Sequence, residues 1–497
     1  MKRLFIITLF ILCFSEIDAQ TSKLSELASG RLQVFSAIRE FDDEVFGYWA
    51  LYKLDELNDS EDRYEYVILD KNLNKVANGE FTDVRYPKTF SRYYPPQKVG
   101  DELIFTKRYS DGRTFSNLLP LYTLHRKINV KTNKVSTTFY AKDGQLIDGA
   151  REIKKSLFKD LKNNKSIEFP VAYKNGFFMY QLGRTPNQTN NKFKDLNYYA
   201  LNKEMKWSFA YNKNERDLDY FFDVMDEDNL ILTVIEQKEN LRKIQKINPE
   251  NGELLFSYYL ENKESEYNHV FDVEQIENKT IIIGKISPFN AEKGYNYKRA
   301  VGLFKVELNE KGEEVSKKYF KWEDASAFID INEKGKLEGG YRLLAKSYFV
   351  FKDGSITVLM EKYKESLALA AVSGSIKTED FVLMNFDKDF NLSDVYILDK
   401  EKSKNLATDY LYSQYINGKE GVVFFYKDLK KDDESLKKNW VLGIVSIING
   451  KINHETIPMS SKKHFISPYI AKEGYILLRE FNENEEYNQI RLERLNY

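Results

Sequence analysis

A single cysteine, Cys13, stands in 497 residues. It lies inside "MKRLFIITLFILCFSEIDAQ", where Lys2 and Arg3 precede an apolar run, Leu4 to Phe14, too short to cross a bilayer. With Ala19 at the expected cleavage point, residues 1–20 read as a secretory signal peptide. A lipid-modified cysteine would follow small residues, but Phe10, Ile11 and Leu12 precede Cys13, so it is assigned to the discarded run. The mature chain, residues 21–497, is then free of cysteine. That excludes disulfides, thiol catalysis, iron–sulfur clusters and cysteine-bound zinc, and leaves a core to carry the fold alone.

Histidine is scarce as well: His125, His269, His454 and His464 each stand alone, with no second histidine at metal-ligand spacing. No metal site and no cofactor are expected. Charge of one sign is also lacking, since 75 basic residues face 76 acidic ones, which argues against nucleic acid as a partner. After residue 20 no apolar run nears the roughly twenty residues of a membrane helix. A Gly-x-Ser-x-Gly elbow, a phosphate-cradling glycine loop and a zinc-protease helix are all missing, so no catalytic residue is assigned. "DKDFN" from Asp387 imitates the start of a calcium loop, but Leu392 and Leu398 occupy the positions that need Gly and Glu.

What is abundant is aromatic: 34 Tyr and 34 Phe against 10 Pro, a mix that suits strands with one wet face. The chain also repeats itself. "RKIQKINPENGELLFSYYL" has relatives in "YEYVILDKNLNKVANGEF", "GLFKVELNEKGEEVSKKYF" and "FVLMNFDKDFNLSDVYIL". Each has two period-two apolar runs around a turn opened by Asp or Asn, whose side chains bond nearby amides. Each predicts a β-hairpin. Ahead of each hairpin comes a more continuously apolar run, such as "NKTIIIGKI" or "GVVFFYKD", and a shorter strand before that. The unit is therefore four strands, A to D, recurring about every 45 to 80 residues.

Four-stranded antiparallel units at that period resemble β-propellers, and the resemblance spans nearly the whole mature chain. The signature residues of the well-known subfamilies are missing, so the chain is similar to diverged, uncharacterised propeller-like proteins exported by Gram-negative bacteria. The resemblance implies an all-β fold in one domain of four-stranded antiparallel blades. Eight blades are expected, with seven as the alternative. The chain ends on a C strand, "NQIRLERLNY", and "TSKLSELA" after the leader could supply the missing fourth strand.

Strand alternation puts the A–B and C–D turns at one end of each sheet and the B–C loops and D–A crossovers at the other. The turns are short and alike, whereas the B–C loops are long and varied, so the loop end is the expected working surface. Candidate binding residues there are Trp322, Glu323 and Asp324 in "FKWEDASAF", which could stack on a sugar or clamp a cation. Tyr295 and Tyr297 are a second pair, in "SPFNAEKGYNYKRA". "LALAAV", Leu367 to Val372, is an apolar loop segment that either tucks under neighbours or meets a partner. "RYPKTFSRYYPP" from Arg85 places Arg and Tyr on an A strand. The expectation is a monomeric, exported binding or scaffold protein, in the periplasm or at the cell surface, that holds a protein or glycan. The rival is a glycan-active hydrolase or lyase with converging carboxylates.

Overall fold

The computed structural model describes residues 21–497 apart from 87–88, 112–119, 143–144, 150–167, 182–195, 210–217, 237–240, 263, 290–298, 366–375, 406–408, 432–437, 461–463 and 485. The fold is all-β. Among the described residues, helix is confined to Leu24–Leu27 and two short 3₁₀ segments, Trp322–Ala327 and Glu338–Gly340.

Antiparallel four-stranded meanders follow one another along the chain. The first seven occupy residues 31–84, 89–142, 168–209, 218–259, 267–321, 342–398 and 410–458, here units 1 to 7, and Gln145–Asp148 adds a fifth strand to unit 2. Units 1 and 2 join into one nine-stranded sheet through a single parallel contact between their A strands, Arg39 opposite Gln97. The last sheet, unit 8, takes Phe465–Ile470, Tyr475–Phe481 and Asn488–Arg494 from the C-terminal end. Thr21–Lys23 from the other end pairs antiparallel with Asn488–Arg494. Leu24, which follows that short strand, is fully buried, and its carbonyl accepts the Tyr52 hydroxyl at 2.7 Å.

The core lies between the sheets. Alternate residues of a strand point to opposite faces, so each sheet contributes to two apolar seams. Trp49 and Leu51 of unit 1 meet Leu103 and Phe105 of unit 2. Phe178 and Trp207 of unit 3 meet Leu230 and Leu232 of unit 4. Ile231 and Phe256 of unit 4 meet Ile282 and Phe304 of unit 5. Val423 and Phe425 of unit 7 meet Ile476 and Leu478 of unit 8. Tyr48 and Tyr52 of unit 1 share a cluster with Leu477 and Ile490 of unit 8, so the last sheet packs on the first.

The C–D turns follow the side-chain chemistry expected of them. Asp70 Oδ1 accepts the amides of Asn72 and Asn74 at 2.8 and 2.9 Å. Asp387 repeats the arrangement with Asn391 at 2.8 Å, and Asn309 with Lys311 and Glu313 at 3.0 Å. The calcium-like "DKDFN" is thus one more such turn. Two turn glycines also receive the neighbouring unit. Gly252 has φ of 75°, and a Cβ there would lie 2.4 Å from the Trp207 ring; Gly312, with φ of 77°, lies under Phe256 in the same way. The D-strand aromatic of one unit thereby locks onto the C–D turn of the next. Polar bonds add to these locks: Lys127 donates to the Leu201 carbonyl at 2.6 Å, and Trp207 Nε1 to that of Pro249 at 3.1 Å.

Candidate functional site

The crossover from unit 5 to unit 6 carries the first candidate group. Trp322 opens the 3₁₀ segment and is 1% exposed, its Nε1 donating to the Ala300 carbonyl at 2.8 Å. Gly335 covers the same ring edge. The indole is therefore part of the seam between units 5 and 6, and only Glu323 and Asp324 of the trio are exposed. The Asp324 carboxylate accepts the Lys321 amide at 3.2 Å. Tyr295, Tyr297 and Leu367–Val372 lie outside the described residues, as does the leader. The Arg85–Pro96 segment enters the A strand Thr89–Val99, where Arg92 is exposed and sits 5.7 Å from the Tyr94 ring.

Sequence reasoning missed an open cleft of about 570 Å³ at the loop ends of units 6 and 7. Asp399, Lys400, Glu401 and Lys402 of the crossover line one side, and Asp428, Leu429 and Lys430 line the other. Beneath it lies a buried ion network. Lys400, fully buried, reaches Asp409 at 2.7 Å and Glu361 at 3.5 Å, while Lys346 reaches the other Glu361 oxygen at 3.4 Å. Ser403 and Thr378 donate to Asp409 at 2.6 and 3.0 Å. Burial pushes the Glu361 carboxyl up. Asp409 is also desolvated, but the bonds from Lys400, Ser403 and Thr378 overcome this and hold its carboxyl down. Such a network fixes the crossover against unit 6, up to Asp409 at the entry to unit 7, and sets the cleft's outline.

A second pattern is the placement of exposed rings. Phe90, Tyr259, Tyr319, Phe328, Tyr396, Trp440 and Phe465 all sit in the loop-end half of their strands or in a crossover there. The large exposed side chains near the turn ends of D strands are Val76, Met205, Leu254, Leu255 and Val315, none of them aromatic. Among the described exposed aromatics only Phe221, midway along an A strand, and Tyr497 lie elsewhere. Aromatic enrichment is what marks contact surfaces.

The A strands hold a third feature. A strands of neighbouring units adjoin, as in units 1 and 2, 2 and 3, and 4 and 5. On two of them, burial pushes Asp223 up to about 7, reinforced by the charge of Asp272 and opposed by a 2.5 Å bond from the Thr233 hydroxyl. Asp272 is raised to about 6 by the surrounding protein and by Glu274, although its side chain reaches water. Among the described residues no group of three or more His, Cys, Asp or Glu is placed to hold a metal ion. No helix there is long and apolar enough to cross a membrane.

Known structures with some similarity are distant. A member of the DUF4221 family from Bacteroides vulgatus is 12% identical, with 67% of this chain and 93% of that chain covered and a TM-score of 0.31. The NanB sialidase from Streptococcus pneumoniae is 10% identical over 96% and 70%, with a TM-score of 0.28. The Nup133 β-propeller domain of Vanderwaltozyma polyspora is 9% identical over 82% and 100%, with a TM-score of 0.36. No curated protein matches the sequence. One family model, described as a family of unknown function (DUF6770), matches residues 1–408, and the chain belongs to that family.

Proposed function

We propose that this protein is an exported, monomeric binding or scaffold protein, one eight-bladed propeller whose loop face holds a protein or glycan partner. Eight meanders packed each on the next, and the last on the first, support the ring, with Thr21–Lys23 completing the final blade. The signal-peptide pattern of residues 1–20 supports export to the periplasm or the cell surface. The observation that carries the binding role is the segregation of exposed aromatic rings to the loop ends. Rings left in water cost free energy unless something covers them, and Trp and Tyr supply much contact area for little lost freedom.

The test compares two double variants by retention of components from an envelope extract of the source cell and by a glycan array. Trp440→Ser with Phe328→Ser removes rings at the loop ends, and Val315→Ser with Leu255→Ser removes apolar surface at the turn ends. Loss of ligand in the first and retention in the second is the expected result. Equal behaviour of the two refutes the loop-face assignment.

A second reading is favoured by the A-strand carboxylates. Asp223 and Asp272, raised toward neutrality on adjacent A strands, have the character of an acid and base for glycan cleavage. Turnover of a polysaccharide panel by the purified protein, abolished in Asp223→Asn, would establish that activity in place of pure binding.

A further inference from the structure

Two A–B turns reach past the neighbouring unit to the one beyond it. The turn of unit 7, residues 417–420, sends Lys419 Nζ to Glu274 Oε2 at 2.5 Å and to the Gln275 carbonyl at 3.4 Å, both on the A strand of unit 5. Unit 6 packs between those two units, through one apolar seam on each side. The Lys419 carbonyl accepts the Lys352 amide of unit 6 at 3.1 Å, and Glu473 of unit 8 accepts the Asn417 amide at 2.6 Å. Asn417, Gly418 and Lys419 hold φ of 53°, 61° and 70°. No other A–B turn among the described residues has more than one left-handed residue. Such a backbone persists only where its surroundings hold it, and here contacts from three other units do so.

The turn of unit 1, residues 40–44, does the same among the first units. Glu40 pairs with Lys98 of unit 2 at 2.6 Å. Phe41 passes unit 2 and sets its ring edge-on to Tyr173 of unit 3, 5.5 Å away, against the seam between units 3 and 4. In a ring, next-but-one sheets approach each other only around the axis, where the A strands stand innermost. Both turns therefore lie across the turn end of the bore. Exposure agrees with this placement. Val99, Tyr173, Val350 and Ile416, the last residues of four A strands, are at most 1% exposed. The large exposed apolar side chains on A strands, Phe90, Phe221, Val270 and Phe465, all fall in the half that starts at the loop end.

We propose that these two turns are straps that close the turn end of the bore, so that a ligand enters it from the loop face and stops inside. The inference rests on the ring and loop-face reading. It gives the loop-end rings and the A-strand carboxylates Asp223 and Asp272 one common entrance. A bore open at both ends would let a chain thread through it, whereas a closed one takes a chain end or a projecting side chain. One strap is held by an ion pair and the other by a ring contact, so each can be released without the other.

The experiment has two parts, both on the full mature chain. A water-soluble carbodiimide joins an amine to a touching carboxylate with loss of water, and mass spectrometry of the digest finds the joined pairs. A link between Lys419 and Glu274 is expected, with the link between Lys98 and Glu40 of adjoining units as the positive control. The control link without the Lys419 link overturns the crossing. The second part uses the lack of cysteine after residue 20 to place one thiol in the bore, by Asp272→Cys, and one nearer the loop end, by Val270→Cys. Phe41→Ala with Lys419→Ala should speed labelling of the first thiol by a bulky maleimide about tenfold and leave the second within about twofold. Lys419→Ala alone, the milder change, should speed the first about threefold. Loss of the lysine charge by itself disfavours a nearby thiolate and would slow the reaction, so a rise reports access. Circular dichroism on each variant checks that the sheets persist. Labelling of the first thiol that is unchanged or slower without the straps overturns the closure. Either negative result, combined with loss of ligand in the Trp440 and Phe328 variant, overturns the straps and leaves the loop-face reading standing.

Discussion

Asp223 offers the most direct test of the environment assigned to the A strands. Its carboxyl is raised from an ordinary 3.8 to about 7, so the ionised form is disfavoured in the folded protein relative to the unfolded chain. The sign follows from proton binding. Between the two values the folded state holds a proton that the unfolded chain has lost, so stability rises as pH falls from above about 7 toward about 4. At about 1.4 kcal/mol per unit, a rise of roughly three units corresponds to about 4 kcal/mol at most. Water at the half-buried side chain brings that to about 2 kcal/mol. Asp223→Asn keeps an acceptor for the Thr233 hydroxyl, 2.5 Å away, and removes the titrating group. The variant should exceed the wild type by about 2 kcal/mol above pH 8 or so, and the gap should close below about pH 4. Urea unfolding followed by tryptophan fluorescence across that range reads the difference directly. A gap independent of pH, or one that widens in acid, would show that burial does not control this carboxylate.

Four further outcomes follow from named contacts. Gly252→Ala combines a left-handed backbone angle with a Cβ 2.4 Å from the Trp207 ring; a loss of about 2 to 4 kcal/mol is expected by urea unfolding, and Gly450→Ala, where nothing lies within 4 Å, should lose only about 1 to 2. Asp409→Asn leaves the buried Lys400 ammonium only the longer pairing with Glu361 at 3.5 Å and should cost about 3 kcal/mol, whereas Lys400→Met with Asp409→Leu should recover much of the loss in a double-mutant cycle. Deleting residues 21–27 removes Leu24, the Tyr52 bond to its carbonyl and the strand pairing with Asn488–Arg494. About 3 to 5 kcal/mol should go, and light scattering should report association through the bared edge. Ser403→Ala removes the 2.6 Å donor to Asp409, and a loss of about 1 to 3 kcal/mol at neutral pH is expected by the same unfolding assay.

The meander repeat was legible because it is written in local chemistry. Asp70, Asn309 and Asp387 turn the chain by bonding amides two to four residues ahead, and a two-residue apolar period on either side needs only neighbours in sequence to be read. The candidate site was less legible, since its partners come from strands that meet only in space. Trp322, Glu323 and Asp324 form a suggestive string, yet the fate of the indole is decided by Ala300 and Gly335, which close over it from other segments. Tyr319 and His269 are fifty residues apart in the chain and face each other at 3.5 Å; neither looked unusual on its own strand. Gly284 interrupts a B strand rich in Ile, and Gly302 opens the C strand beside it; glycine in a covered strand marks a place where something else must come close. In unit 5 that something is the backbone of the neighbouring strand: a Cβ at Gly284 would lie 2.0 Å from the Val270 carbonyl oxygen, and one at Gly302 would lie 2.0 Å from that of Phe320. Turn chemistry therefore reports where strands begin and end, whereas a glycine in an apolar strand reports where the next strand comes too close for a side chain, and neither signal says which exposed groups meet in space.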